Sequence, residues 1–364
     1  MNTAPIPTAS EFQQQIREKI QNFSPRPFIF TQINHFLTRQ PRGYFTLIGV
    51  PGTGKSAILA KYAAENPHVI YYSAELTGKN QAPEFLLTLC TQLLEIASAN
   101  AITHQSGETI TNLPDRVTEG SWFLSLLLQK ISDQLPPNQK LIITIDGCDR
   151  IDRDSQPPGS NLFYLPRYLP NHVYFLLSRR PFPRDRSGLL IETPDQTLDL
   201  QDYPEQNRED IRTYINNYLT LHPLTEEQVC ERLTDESENN FMYASQILPG
   251  IANNIYPEPF HWQPLPPGLE TYYQSHLARM NYPHLSAVEL AVLRQLATEK
   301  QPLLVEQIAA AINEDEYDIE EALENWIEFL IAPVIEEEVH YRLYHRNFQA
   351  WLLAQISQDL PVNS

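Results

Sequence analysis

The stretch FTLIGVPGTGKSAILAKYAAE, residues 45–65, does more than any other to restrict what this chain can become. Its first half is an apolar run that reads as a buried strand, its middle is a glycine-rich turn, and its second half resumes as a helical pattern. Gly49-Val50-Pro51-Gly52-Thr53-Gly54-Lys55-Ser56 fits the pattern G-x-x-x-x-G-K-[ST] in the place where such a loop can act, after a strand and before a helix. Glycines there let successive backbone N–H groups curl around phosphate oxygens at the positive end of the helix. Lys55 would reach the β and γ phosphates and Ser56 would ligate Mg²⁺. The candidate nucleotide-binding residues are therefore Gly49, Pro51, Gly52, Thr53, Gly54, Lys55, Ser56 and the following Ala57.

The surrounding pattern agrees. Five β-rich runs (YFTLIG, HVIYYS, KLIITID, HVYFLLS and QTLDL) alternate with helical stretches at 83–98 and 120–133. Such alternation predicts an α/β fold, a P-loop NTPase with a parallel five-stranded sheet and helices on both faces. In LIITIDGCDR the strand delivers Asp146 at its carboxyl end, where a carboxylate can hold the magnesium shell beside the P-loop. In HVYFLLSRRP the strand ends at Ser178-Arg179, and Arg179 can bring a guanidinium to the same edge, near the γ-phosphate.

The domain reading places an N-terminal helical lead-in at residues 1–40, interrupted by FSPRPF because Pro25 and Pro27 disfavour helix. A nucleotide-binding domain follows at 41–202, then a helical domain with a proline-rich joint, YPEPFHWQPLPPG, at 203–268. The last domain, 269–364, has the order helix-turn-helix then hairpin, a winged-helix pattern. Within it Val305, Ile308, Ala309 and Ile312, then Ile319, Leu323, Trp326, Ile327 and Leu330, fall on single helical faces.

Charge and composition exclude several function classes. The formal net charge of −19 argues against broad contact with nucleic acid or anionic lipid. No apolar run approaches the length needed to span a bilayer, and MNTAPIPTASEF lacks the order of a signal peptide, so a cytoplasmic location is expected. Cys90, Cys148 and Cys230 form no CxxC pair, so neither a disulfide framework nor a zinc site is expected.

The order P-loop, IDGCD, YLPRYLPNHVYFLLSRRP, helical module and winged helix resembles the STAND class of signal-transducing ATPases, near the NACHT and NB-ARC groups and related to AAA+ proteins. FSPRPFIF is similar to the family's F-x-G-R-E-x-x-F segment, which lies against adenine, and this places Arg26 at its arginine. NNFMYASQIL resembles G-N-F-L-Y-A, and LPPGLETYYQSHL resembles the family linker L-P-x-x-L-x-x-x-Y. YRLYHRNFQAWLL is similar to the end of the family's winged helix, where a histidine touches the β-phosphate of ADP; that histidine is His345. The resemblance implies a family pattern D-G-x-D-E in which the last Glu orients the attacking water. Here Asp149, carried over as a catalytic acid, is followed by Arg150, and a cation cannot act as that base. Pro25, Pro27 and Asn239 also depart from the family pattern. The effector and repeat domains that usually flank the family's core are not recognised in these residues, so partners supplying sensor and effector parts, or self-association, are expected.

The leading expectation is thus an ATP/ADP-binding conformational switch, closed with ADP and open with ATP, with slow hydrolysis. The alternative is a winged-helix DNA-binding ATPase of the initiator or transcription-regulator kind. Between Ser286 and Tyr344 there are 14 acidic residues against 3 basic ones, a surface that the major groove would repel. A motor or metabolic ATPase is disfavoured by Arg150.

Overall fold

A computed structural model describes residues 10–99, 112–182, 188–221, 227–253, 255 and 265–358. Residues 256–264 of the proline-rich joint lie outside the described residues, as do Arg184 and Arg186. The chain divides into two compact units. One comprises Met1–Gly49, Lys55–Arg180 and Arg184–Asp202; the other comprises Val50–Gly54, Pro181–Pro183 and Tyr203–Ser364.

The first unit opens with α1 (Ser10–Ile20) and α2 (Pro27–Arg39). They are separated where prolines were expected to break the helix, and Pro27 takes the first helical turn, where its missing N–H does no harm. Then come β1 (Gly43–Ile48), α3 (Lys55–Glu65), β2 (Val69–Ser73), α4 (Ala82–Ala99), α5 (Trp122–Gln134), β3 (Leu141–Asp146), β4 (Val173–Arg179) and β5 (Asp195–Asp199). The five strands form one sheet in the order β2-β3-β4-β1-β5, with every neighbouring pair parallel. Every residue of β2, β3 and β4 is buried, the signature of a sheet covered on both faces. Register aligns the strand ends: Ile48 pairs with Arg179 and with Asp199, and Ser73 pairs with Asp146. One sheet edge therefore carries the carboxyl ends of all five strands.

α1 is anchored on this unit by Phe12, fully buried, whose ring meets Tyr71 at 6.2 Å and Tyr72 at 5.4 Å between centroids. Gln15 of the same helix donates to the Ser73 hydroxyl at 3.1 Å, at the end of β2.

The second unit is mostly helical. It holds α6 (Pro204–Leu221), α7 (Glu227–Ser237), α8 (Phe241–Ala252), α9 (Pro267–Arg279), α10 (Ala287–Thr298), α11 (Val305–Ile312) and α12 (Glu316–Asn325), and ends in α13 (Arg346–Gln358). Its core is one cluster that runs from Ile211 through Tyr243, Tyr273 and Trp326 to Phe348. A capping box, Ser286 with Glu289, starts α10. Between α12 and α13 lie four two-residue strands: β6 (Leu330–Ile331), β7 (Val334–Ile335), β8 (Glu338–Val339) and β9 (Arg342–Leu343). The sequence suggested two strands pairing as one hairpin. The structure nests a β7-β8 hairpin inside a β6-β9 pair, and Leu303 bridges to Tyr341.

Among the described residues no helix is long and apolar enough to cross a membrane. Cys90, Cys148 and Cys230 are all free thiols and buried. The seating of α1 generates a prediction. Phe12→Ala removes a fully buried ring and should lower the unfolding free energy by about 3–5 kcal/mol in urea titrations. A loss under about 1 kcal/mol would show that α1 is not part of the cooperative unit.

Candidate functional site

The glycine turn adopts the backbone its sequence requires. Gly52 and Gly54 have φ of +84° and +85°, a region that side chains other than glycine's enter at a cost. At Gly52 a Cβ would also collide with the side chain of Asn240. Within the second unit, residues Val50–Gly54 are held through their carbonyl oxygens. Thr53 Oγ1 donates to Val50 O at 2.9 Å, Asn240 Nδ2 donates to Pro51 O at 3.1 Å, and Phe241 N–H donates to Gly52 O at 2.8 Å. Asn240 is the N-cap of α8, its Oδ1 accepting the Tyr243 N–H at 3.0 Å. Fixing the carbonyl side of the turn leaves its amide side as the face suited to phosphate.

In the first unit Lys55 donates from Nζ to Gly49 O at 2.6 Å. Burial pushes its ammonium down to about 8, with the charge of Asp149 acting in the opposite direction and that of Arg180 adding to the fall. Ser56 and Ala57 follow in the first turn of α3, both partly exposed.

Asp146 is fully buried at the end of β3. Its Oδ1 accepts from Ser178 Oγ at 2.6 Å, its Oδ2 lies 3.4 Å from the Tyr71 hydroxyl, and the Ser56 hydroxyl also hydrogen-bonds to it. Burial, then the neighbouring charge of Glu75, raises its pKa; Lys19, Ser178 and Ser56 pull it back. One hydroxyl and one carboxylate in contact fit a magnesium ion that takes its remaining ligands from phosphate and water. Among the described residues no group of three or more His, Cys, Asp or Glu side chains could hold a metal, so an all-protein cage is not part of this arrangement.

Asp149 lies in the turn after β3 and is engaged by two arginines. Its Oδ1 accepts the Arg180 backbone N–H at 3.1 Å, and its Oδ2 lies 3.5 Å from Arg180 Nε and 3.8 Å from Arg150 Nε. Arg179 is buried at the end of β4 beside Cys148, Asp149 and Arg153, and burial lowers its guanidinium to about 10. Arg180 is the arginine that pairs with Asp149 and acts on Lys55, and sequence reasoning passed over it. Strand alternation held the signal, since Ser178, which meets Asp146, and Arg180 fall on the same side of the chain. Asn240 and Glu75 were also missed.

Arg26 is buried at the start of α2, with its guanidinium 5.8 Å from the Phe28 ring centroid. His345, in the second unit, is 1% exposed. Its Nδ1 accepts the Asn347 N–H at 3.0 Å, which caps the start of α13 and fixes the tautomer so that Nε2 carries the proton. Nε2–H is turned toward the backbone of Glu236 and Ser237 without a well-formed hydrogen bond to either. Its ring packs 4.7 Å from that of Tyr243.

Comparison with known proteins bears on this geometry. Residues 29–176 match the AAA ATPase domain. That stretch holds the P-loop, Asp146 and most of the five-stranded sheet. Part of the chain is 30% identical over 151 residues to telomerase protein component 1 of Mus musculus, covering 38% of this chain and 5% of that protein. Among solved structures, a STAND protein with a tetratricopeptide repeat sensor from Pyrococcus horikoshii is 14% identical, with a TM-score of 0.41 over 93% of this chain and 44% of that one. A RuvB variant of Thermotoga maritima is 12% identical, with a TM-score of 0.34 over 97% and 98% of the two chains. The Drosophila ORC bound to DNA is 13% identical, with a TM-score of 0.34 over 95% and 98%. These are loose likenesses. The chain spans a twentieth of the telomerase protein and less than half of the STAND protein.

The burial of His345 within the second unit has a testable consequence of its own. Burial, followed by the charges of Arg342 and Arg346, lowers its pKa from 6.5 to about 3, against a smaller opposing effect of the backbone at Ser237 and Glu236. The unfolded chain therefore binds the proton first as pH falls. The stability that neutral His345 contributes is complete above about pH 6.5 and is lost progressively toward pH 3, by about 1.4 kcal/mol per unit. Denaturant unfolding of wild type and His345→Gln at about pH 7 and about pH 5 should show the gap between them shift by about 2 kcal/mol, in disfavour of wild type at the lower pH. A gap independent of pH would contradict the buried neutral imidazole.

Proposed function

We propose that this protein is an ATP/ADP-binding conformational switch of the STAND kind, near the NACHT and NB-ARC groups, with an ADP-closed and an ATP-open state and slow hydrolysis. The observation that carries the reading is the hydrogen bond from Ser56, the residue after Lys55 in the glycine-loop motif, to a buried Asp146 at the carboxyl edge of a parallel sheet, within a stretch that matches the AAA ATPase domain. In this reading the chain has four parts: the lead-in at 1–40, the nucleotide-binding domain at 41–202, the helical domain and joint at 203–268, and a winged-helix domain at 269–364.

The residues divide the work as follows. The amides of Gly52, Thr53, Gly54 and Lys55 cradle the phosphates, with Gly49, Pro51 and Ala57 fixing the ends of the loop. Lys55 contributes a positive charge to the β and γ phosphates, and an ammonium held near 8 is still largely protonated at neutral pH. Ser56 and Asp146 hold Mg²⁺, which when bound neutralises developing charge on the phosphates. Arg179 stabilises negative charge on the γ-phosphate from the end of β4, and Asp149 sets the local field by pairing with Arg180. Arg26 lies on the adenine side. His345, a neutral donor through Nε2, contacts the β-phosphate of ADP; its hydrogen-bond state suits that task. Arg150 in place of the family's glutamate supports slow turnover, below the typical enzymatic range of about 1–10³ s⁻¹.

Such a switch works by differential affinity of the nucleotide for two states. Protein partners or self-association would supply signal and output. The acidic α12, with Asp318, Glu320, Glu321 and Glu324, opposes a DNA-reading role.

Calorimetry with ADP and ATP in the presence of Mg²⁺ tests the reading. Lys55→Ala should lose a charge-assisted contact of about 1.5–3 kcal/mol, roughly tenfold to a hundredfold in affinity for either nucleotide. His345→Ala should weaken ADP by about tenfold and ATP by much less. Unchanged binding in Lys55→Ala would overturn the nucleotide site, and equal losses for the two nucleotides in His345→Ala would overturn the ADP-specific contact.

A further inference from the structure

The turn after β3 offers no glutamate, yet another carboxylate reaches the same sheet edge from the adjacent strand. β2 ends at Ser73, in register with Asp146, and the ladder continues one step further because the Ala74 N–H donates to Asp146 O at 2.9 Å. Glu75 comes next. Its side chain turns over the corner that follows Asp146, so that a Cβ placed on Gly147 would lie 3.0 Å from Glu75 Cγ. Gly147, at φ +76°, has no side chain there, and the room is occupied by Glu75.

Three carboxylates share this edge and differ in what they are free to do. Asp146 is fully buried and engaged by Ser56, Ser178 and Tyr71. Asp149, with its side chain 14% exposed, is tied to Arg150 and Arg180. Glu75 is the one open to water, with its side chain 29% exposed. It is held from α1, where Lys19 Nζ meets Glu75 Oε2 at 2.6 Å, and its own N–H donates to Ser73 Oγ at 3.3 Å. Burial opposes charge on Glu75, but Lys19 and then Arg150 outweigh it and keep the carboxyl below its ordinary range, so it is an anion at neutral pH. Its charge is felt by both Asp146 and Lys55, which places it within electrostatic reach of the two groups that frame the phosphates.

A plain ion pair fastening α1 to the sheet is the competing account. A pair this exposed contributes little to stability, whereas Phe12 already anchors α1 through a fully buried ring. The Lys19–Glu75 pair adds little to that attachment. What it does determine is where a water-accessible carboxylate stands beside Asp146.

We propose that Glu75 is the catalytic carboxylate of ATP hydrolysis in this chain, taking over from the glutamate that Arg150 replaces, and that Lys19 of α1 is its positioning residue. The inference rests on the nucleotide site proposed above. In the step it assigns, the oxygen of a water molecule bonds to the γ-phosphorus while the bond from that phosphorus to the β,γ-bridging oxygen breaks. The water's proton passes to the Glu75 carboxylate, and the bridging oxygen leaves on ADP with the electron pair of the broken bond. A base held by an ammonium is a weakened base, which agrees with slow turnover.

The test uses the full chain as wild type, Glu75→Gln, Lys19→Met and Lys19→Arg, with ATP affinity measured by calorimetry and hydrolysis by single turnover at saturating ATP. Circular dichroism confirms that each variant is folded. Glu75→Gln should bind ATP within about threefold of wild type yet hydrolyse it about 100-fold or more slowly, and the nucleotide recovered from it after incubation should be ATP where wild type yields ADP. Lys19→Met should alter the rate constant with affinity unchanged, and Lys19→Arg should restore it. Hydrolysis by Glu75→Gln within about threefold of wild type would overturn the catalytic role. An unchanged rate constant in Lys19→Met would overturn the positioning role. A wild type that binds ATP without turnover defeats this inference and leaves the switch standing, while a wild type that fails to bind ATP defeats both.

Discussion

Asp146 sets the terms for everything around it. A carboxylate with no exposure to water is expensive to bury unless its oxygens are met by donors, and here three elements deliver them. Tyr71 comes from β2, Ser178 from β4 and Ser56 from the first turn of α3. Meeting that demand fixes the register of β2, β3 and β4 and the entry of α3 in one stroke. The same three elements then deliver the rest of the edge: Glu75 follows β2, Arg179 and Arg180 end β4, and Lys55 begins α3. The buried charge and the candidate phosphate site are therefore consequences of the same packing.

The glycine turn shows a comparable economy. Its left-handed residues, Gly52 and Gly54, let the chain reverse tightly enough to present amides on one side. Its carbonyl oxygens at Pro51 and Gly52 accept hydrogen bonds from the start of α8, through Asn240 and Phe241. Asn240 spends one end of its amide on the turn and the other on capping α8, so the loop and the helix start are ordered together. A ligand that orders the amide side of the turn would bear directly on the geometry of α8.

The parts of the fold that could be read from sequence are those set by local pattern. β1, β3 and β4 are apolar runs, β1 closing at Ile48 just before Gly49 and the other two ending at Asp146 and Arg179, and their burial leaves little ambiguity. Asp146 and the P-loop could be read for the same reason, since strand ends and glycine spacing are sequence properties. The four strands of β6–β9 were read as two, because each is only two residues long and the nested pairing depends on contacts that no local pattern encodes. Among site residues, Arg180 was passed over in favour of Arg179, and Glu75 carried no signal at all. Its significance arises when β2 is laid beside β3 and Lys19 arrives from a helix 56 residues upstream. Asn240 sat inside a recognised segment, but its grip on Pro51, 189 residues away, is a tertiary fact.

The central claim is that nucleotide identity, and not nucleotide presence alone, controls the state of this chain. Amide hydrogen exchange in the presence of saturating ADP or ATP addresses it most directly, read at the glycine turn, at the start of α8 and at the start of α13, where His345 caps the helix. The account predicts that both nucleotides slow exchange at the turn, whereas ADP slows it at the starts of α8 and α13 by about tenfold more than ATP does. Identical protection by the two nucleotides at α8 and α13 would contradict the switch.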